Sequence, residues 1–497
     1  MAVNLHRYLL GALGPALVLL GASVTFAQQP EYYAAAAPQP QQQAPYYAPP
    51  ATMTYEQRMA DQEARIAQLE AQLHQQLQPG QIPAQPVAAT MAEAAPANDL
   101  GACKEVELTT KPNMKIGGRL FFDVVNFEDT TGSPVFDSID RQNEAGITYA
   151  RINWSGYVYE NVFGICEIDF ADDVRFKDTY IEAQNLPILG RFRAGYFKEP
   201  IDLEDESSDN NTTFMNRSLA IRAFSYSRRV GCMAYNYFNE NPNTGWFVGT
   251  FARDFGATDG VATKGYQQQD GGDWTFDGRL VYLPIYDEPS DGRYLMHLGT
   301  TYTYRRTATA GVSFSARSEL GAGNTTAWTN TGTIPDTDYN QFGFEYLSIW
   351  GPASLQSEFY VAALDNNNAC TGGYVYFTYS LTGENRGYKR EEKVPTGIKP
   401  FEDFFRVSTA DGVCMGRGAW ELAARWSFVD LEVGPGTVLG PPNVNSLGYE
   451  NSYTVGLNWY WNPQTRMMFD YVWEDVHRTN GLSAGLGSAG MRWQINF

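Results

Sequence analysis

Taken two residues at a time, the C-terminal part of the chain divides into an apolar and a polar series. At the very end Phe497, Ile495, Trp493 and Met491 are apolar, and Asn496, Gln494 and Arg492 lie between them. The same alternation runs through Tyr453, Val455, Leu457, Trp459 and Trp461, through Met467, Phe469, Tyr471 and Trp473, and through Trp420, Leu422, Ala424, Trp426 and Phe428. A period of two sends alternate side chains to opposite faces of a strand. Each run approaches the ~9–11 residues that a tilted strand needs to cross a bilayer. Soluble sandwich strands alternate too. Here, however, the apolar face is heavy in Trp, Tyr and Phe, as expected of aromatic girdles at two membrane interfaces. The pattern predicts an all-β chain forming a transmembrane antiparallel β-barrel, with Trp420, Trp459 and Trp473 facing outer-membrane lipid.

The barrel begins near Lys115, with Gly118, Leu120, Phe122 and Val124 on one face and Arg119, Phe121 and Asp123 on the other. Roughly seventeen candidate strands follow; single-chain bacterial barrels usually have an even number, so the expectation is about 16, with 18 as the alternative. Ile147–Tyr159 and Val162–Phe170 are separated by a very short turn at Glu160-Asn161, whereas the connections from Lys198 to about Arg229 and from Leu381 to about Gly418 are long. Short turns on one rim and long loops on the other is the expected asymmetry.

Ahead of the barrel the character of the chain changes three times. His6 and Arg7 precede an apolar run from Tyr8 to about Phe26, and Thr25-Phe26-Ala27 is a small-residue cleavage site, so residues 1–27 read as a secretory signal peptide. Residues 28–53 are rich in Ala, Pro, Gln and Tyr and cannot bury a core. Over 54–77, Met59, Ile66, Leu69 and Leu73 fall at heptad positions, with Gln62 and Gln76 as polar members, which predicts a short oligomeric coiled-coil helix. Residues 78–114 return to Pro and Ala and read as a linker to the barrel at 115–497.

Composition agrees with export to a membrane. The chain has 497 residues, 43% hydrophobic and 14% aromatic, with 47 Gly. Its mean hydropathy of −0.37 looks soluble, because lumen-facing polar residues cancel lipid-facing apolar ones in a barrel. The net charge of −20 disfavours nucleic acid as a partner, since phosphate contacts need clustered cations. The five cysteines, Cys103, Cys166, Cys232, Cys370 and Cys414, form no CxxC pair, so no metal site is expected, and they are read as unpaired thiols. Cys370 and Cys414 are placed in connections. No cofactor is expected either: GLGSAG at 485–490 fits a dinucleotide fingerprint, but it opens the final strand and no βαβ unit surrounds it.

The chemistry is concentrated between 190 and 229. The connection after Lys198 is acidic through Asp202, Glu204, Asp205 and Glu206, then basic at Arg217, Arg222, Arg228 and Arg229. Opposed charges at a narrow point set up a field that selects among ions and polar solutes. Strand parity sends Arg119, Arg151, Arg191, Arg193, Arg425 and Arg492 to the lumen as further pore-lining candidates. It sends Asp123, Glu167, Asp169, Asp178, Glu182, Glu345, Glu358, Glu421, Asp470 and Glu474 there too.

Several stretches resemble the phosphate-selective porin O and P type of outer-membrane porin. They are GGRLFFDVVNFED at 117–129, FKDTYIEAQ at 176–184, GYFKEPIDLEDESS and TFMNRSL within 195–219, GAWELAARWSFVDL at 418–431, GLNWYWNPQTRMMFDYV at 456–472 and the terminal Phe497. The resemblance covers about residues 115–497 and implies a trimeric barrel with an inward-folded loop and anion transport. Acids outnumber arginines on the parity-assigned wall, so phosphate selectivity does not carry over with the name. The reading is an outer-membrane porin, with a periplasmic N-terminal segment, that gives passive passage to small hydrophilic charged solutes, anions such as phosphate among those implied. Two alternatives stay open. One is a structural tether acting through the coiled coil. The other is a barrel enzyme, for which only His297 and His477 are available as bases outside the first 100 residues.

Overall fold

The computed structural model describes residues 112–128, 143–171, 174–252, 274–307, 311–321, 327–335, 337–409, 412–434 and 447–497, without the side chains of 406–414. The expected signal peptide, Pro/Gln-rich segment, coiled coil and nearly all of the linker lie outside the described residues. In chain order the strands are β1 (Lys115–Phe127), β2 (Glu144–Tyr159), β3 (Val162–Asp169), β4 (Arg175–Leu186), β5 (Gly190–Lys198), β6 (Arg228–Phe238), β7 (Asn241–Ala252), β8 (Trp274–Tyr286), β9 (Tyr294–Arg306), β10 (Ser315–Ala316) and β11 (Thr329–Asn330). They continue with β12 (Tyr339–Trp350), β13 (Ala353–Leu364), β14 (Ala369–Ser380), β15 (Arg386–Lys389), β16 (Val394–Ile398), β17 (Phe405–Thr409), β18 (Gly412–Gly416), β19 (Ala419–Asp430), β20 (Gly448–Asn462), β21 (Thr465–Arg478) and β22 (Ser483–Asn496). A single α-helical turn and a half, α1 (Leu219–Phe224), sits in the β5–β6 connection.

Sixteen of these strands close into one barrel, as expected from the parity count; β10–β11, β15–β16 and β17–β18 are separate hairpins in the connections. Closure is made by the two ends of the sheet. β1 pairs antiparallel with β22 from Arg119↔Asn496 to Phe127↔Ser488, and Gly118 and Phe497 exchange backbone hydrogen bonds of 3.0 Å in both directions. No edge is left, which is the condition for a sheet in hydrocarbon. The alternation reads as expected: on β19 the outward Leu422 is 47% exposed, while its neighbours Glu421 and Arg425 are 0% and 3%.

The interior is not the open polar lumen that the wall pattern suggested. The connection 199–227 and the segments 311–321 and 327–335 of the connection after β9 fold inward, and Phe214, Leu219, Phe224, Phe314 and Ile334 pack with the inward Tyr360, Tyr374 and Tyr376 into an apolar cluster. This dry core lies against β13, β14 and β19.

The rim asymmetry fails at one place. Alternate connections share a rim, so 381–418, which follows β14, belongs with the short turns at 160–161, 239–240 and 351–352. It was grouped by length with the long loops; the order of strands places it on the opposite rim from 199–227. Its hairpin β15–β16 enters the barrel from that side, where Tyr388 and Val394 join Leu203, Val281, Leu295 and Leu347 in a second apolar cluster. Cys370 also differs from expectation, being a buried free thiol within β14 rather than in a connection. The burial is explained by its inward register on a strand facing the dry core. Cys166 and Cys232 are free as well.

The closing seam generates a prediction. A Cβ on Gly118 would lie 2.6 Å from the Phe497 ring and 2.7 Å from the Arg151 carbonyl oxygen, whereas one on Gly146 meets nothing within 4 Å. Overpacking of this kind costs about 1–3 kcal/mol. Gly118→Val should lower the yield of heat-modifiable barrel on cold gel electrophoresis, and Gly146→Ala should leave it unchanged.

Candidate functional site

With one side of the interior filled, the remaining space lies against the opposite wall. A cavity of about 240 Å³ is lined by Arg119 of β1, Asp178 and Tyr180 of β4, Arg193 and Lys198 of β5, and Arg228 and Tyr235 of β6. The 199–227 loop contributes Glu206, Ser208 and Asp209, and the inserted hairpin contributes Lys389, Glu392 and Thr396. The constriction is thus built from both rims.

Its wall charges are largely paired. The Arg228 guanidinium grips Asp178 with bonds of 2.7 and 3.1 Å. A register shift in the β3–β4 pairing sets Lys177 and Asp178 together opposite Glu167. Arg193 donates to Glu182 at 2.8 Å and to the Tyr235 hydroxyl at 3.1 Å, with its guanidinium 4.1 Å over the Tyr180 ring. Arg119 donates to Glu167 at 2.8 Å and lies 3.6 Å from Asp209. Asp209 also takes Arg151 at 2.7 Å and Arg217 at 3.0 Å. Burial opposes the charge of Asp209, but Arg151, Lys198 and Arg217 outweigh it and hold the carboxyl well below its usual range.

The other candidates do different work. Arg217 does not line the cavity. It ties the loop together by donating to the carbonyls of Glu204, Asp205 and Ser207 and lies 3.4 Å from the Asp205 carboxylate. Asp202 is buried, and its Oδ1 accepts the amides of Asp205 and Glu206 at 2.9 and 3.0 Å. Burial and the neighbouring Asp205 push its carboxyl up to about 7. Glu204 accepts from the Ser218 amide and hydroxyl and from Arg425. Part of the acidic and basic charge of the loop is thus paired internally, Arg217 cross-linking Asp205 and Asp209 while Glu204 reaches the wall, and only Glu206, Asp209 and Arg228 of these face the cavity. Pairing at these distances is what neutralises buried charge. Arg222, on α1, lies outside the cavity and makes no ion pair with the described residues. Arg191, on β5, meets the tip of the hairpin, bonded to Glu391 at 2.6 Å. Arg425 and Arg492 are buried, the first on Glu319 at 2.7 Å and the second bidentate on Asp123 at 2.7 Å to both oxygens.

The excess of wall carboxylates has a structural explanation. They receive loop amides. Glu358 accepts the amides of Leu203 and Glu204 at 2.6 and 2.9 Å. Asp470 accepts that of Met215 at 2.7 Å, and Glu474 accepts that of Glu319 at 2.6 Å. Glu319 in turn accepts the Leu219 amide at 3.0 Å. Counting these acids against the arginines says little about the passage. Lys198, Asp209, Lys389 and Glu392 were not singled out from the sequence. Counting alternate connections from Lys115 would have put Lys389 and Glu392 on the second rim, though not inside it.

The chain has relatives among known proteins. Residues 114–497 match the family model described as phosphate-selective porin O and P. The chain belongs to that family. Porin O of Pseudomonas aeruginosa is 25% identical over 404 residues, 74% of this chain and 84% of its own length. An uncharacterised protein of Caulobacter vibrioides is 25% identical over 445 residues, 84% of this chain and 82% of its own. Among solved structures, the outer-membrane channel DcaP of Acinetobacter baumannii superposes with a TM-score of 0.45 at 10% identity, covering 78% of this chain and 97% of that one. The protein is an outer-membrane porin.

Removing Arg425 would leave Glu204 and Glu319 as buried charges without their cation. Breaking such a cluster costs about 3–5 kcal/mol. Arg425→Ala should lower the thermal transition of the folded porin by many degrees, measured by loss of heat-modifiability against temperature, whereas Arg191→Ala, which removes a partly exposed pair with Glu391 at the hairpin tip, should change it little.

Proposed function

We propose that the porin conducts small hydrophilic, charged solutes passively along the cavity between β1, β4–β6, the 199–227 loop and the β15–β16 hairpin, with anions such as phosphate among its solutes. The observation that carries this reading is the cavity itself: a polar channel segment lined by Arg119, Arg193, Lys198 and Arg228, left open beside a packed apolar core. The relative named Porin O is in keeping with it. The driving force is the solute gradient, and the protein supplies a low-dielectric wall and fixed charges at a narrow point. It is not an enzyme on this reading. His297 is enclosed between the Tyr388 hydroxyl at 2.8 Å and Glu345 at 2.9 Å, and His477 bonds Asp475 and stacks on Tyr449, so among the described residues neither is bonded to a Ser, Thr or Cys nucleophile.

Assembly as a homotrimer, with the N-terminal segment on the periplasmic side and the heptads at 54–77 reinforcing the contact, completes the proposal. Truncation to residue 101 should weaken the oligomer on native gels without abolishing barrel heat-modifiability. An unchanged oligomer would remove the heptads from the assembly but leave the conduction reading intact.

Conduction is tested in planar bilayers with the purified full chain. Replacing 386–398 by a short Gly/Ser linker should raise single-channel conductance severalfold, because the lining side chains of Lys389, Glu392, Val394 and Thr396 go with it. Charge selectivity read from reversal potentials should fade at 1 M salt, where the Debye length is ~3 Å. Equal conductance with and without the hairpin would place the current elsewhere.

A further inference from the structure

The carboxylates that line the cavity differ in their partners. Asp178 is held by Arg228, Asp209 by Arg151 and Arg217, and Glu392 by Lys389. Glu206 has no cation bound to it, and its Oε1 is buried without a hydrogen-bond partner. A counterpart exists among the cations. Arg119, Arg193, Arg228 and Lys389 each have a carboxylate, but the Lys198 ammonium donates to the carbonyls of Asp205 and Ser207, on either side of Glu206, and to no carboxylate. Paired charges cancel at short range, so the field in the passage is left to Lys198 and Glu206.

We infer that Glu206 is the specificity-determining residue of this passage, its charge state setting how strongly anions are preferred over cations. The inference rests on the conduction path proposed above. Neutral Glu206 leaves the Lys198 charge uncompensated and favours anions; ionised Glu206 cancels it.

Burial pushes the Glu206 carboxyl up to about 8, against the pull of Lys198 and Arg279. A raised value means the neutral form holds below about 8 and the charge appears above it, so anion preference falls as pH rises. The surroundings contain other ionisable groups. From its own loop Asp202 faces Glu206 but is turned inward onto amides. From the wall, Arg193 and Arg279 face it, each with its own carboxylate, Glu182 and Glu345. From the hairpin come the Lys389–Glu392 pair and Lys393. Burial lowers the Lys393 amine to about 7, and its Nζ is bonded to the Pro242 and Arg390 carbonyls, outside the cavity lining.

The test is the reversal potential of the full-length porin in a planar bilayer under a tenfold KCl gradient, at pH 6 and pH 9.5. One unit charge about 4 Å from a permeating ion in water raises the permeability of one sign and lowers that of the other, each about fivefold, and is therefore worth about 25-fold in their ratio. The anion-to-cation permeability ratio of the wild type should fall by about that factor between the two pH values. Glu206→Gln, nearly isosteric, should hold the ratio at its acid value throughout. Lys198→Met should act in the opposite sense, lowering the ratio already at pH 6. A Glu206→Gln protein that keeps the full pH shift would overturn the inference and assign the shift to Asp202 or Lys393. Folded barrels that pass no current in any variant would overturn the conduction reading and this inference with it, whereas conduction with an unchanged ratio overturns the inference alone.

Discussion

A sheet of sixteen strands closes around a space wider than its own side chains can fill. Everything else in this molecule follows from how that space is used. Closure is obligatory, because an unpaired strand edge in hydrocarbon would leave a row of unsatisfied amides and carbonyls. The pairing of β1 with β22 removes that edge and thereby creates the interior. The interior is then divided: a dry aromatic and aliphatic core against β13, β14 and β19, and a charged passage against β1 and β4–β6.

The division needs loops that stay put inside a barrel, and the wall carboxylates provide for it. Glu358, Asp470 and Glu474 each accept backbone amides from an inward connection, so segments without regular structure have their donors satisfied. Arginines close the remaining charge, as Arg425 does between Glu204 and Glu319. Such clusters are costly to desolvate, but once formed each member depends on the others. The positions of the passage-lining groups are inherited from this scaffold.

Much of the wall was legible in the sequence. Period-two alternation, the outward aromatics and the parity of Arg119, Asp123, Glu421, Arg425 and Asp470 follow from the geometry of a single strand, which is local. The uses of those residues are not local. Arg425 meets Glu204 across 221 positions of sequence, and Arg492 meets Asp123 across 369. No spacing rule reaches that far. The charge blocks at 199–217 were read as two faces of a gap because they are separated in sequence; the loop folds back so that part of that charge is paired internally. The hairpin within 381–418 was recognised as long, but its rim depends on the count of strands before it, and its insertion on apolar contacts made by Tyr388 and Val394.

The seam between β1 and β22 also orders the birth of the molecule. Its partners, such as Arg119 and Asn496, are nearly a whole barrel apart in the chain, and the last backbone bonds involve the terminal residue, Phe497. Contacts of such long sequence separation form late and slowly, since the entropy of closing the chain is lost before they are gained. A partly made barrel would therefore carry two open edges and an exposed apolar loop core until the seam forms. Open edges pair readily with other chains, so slow closure is a window for aggregation.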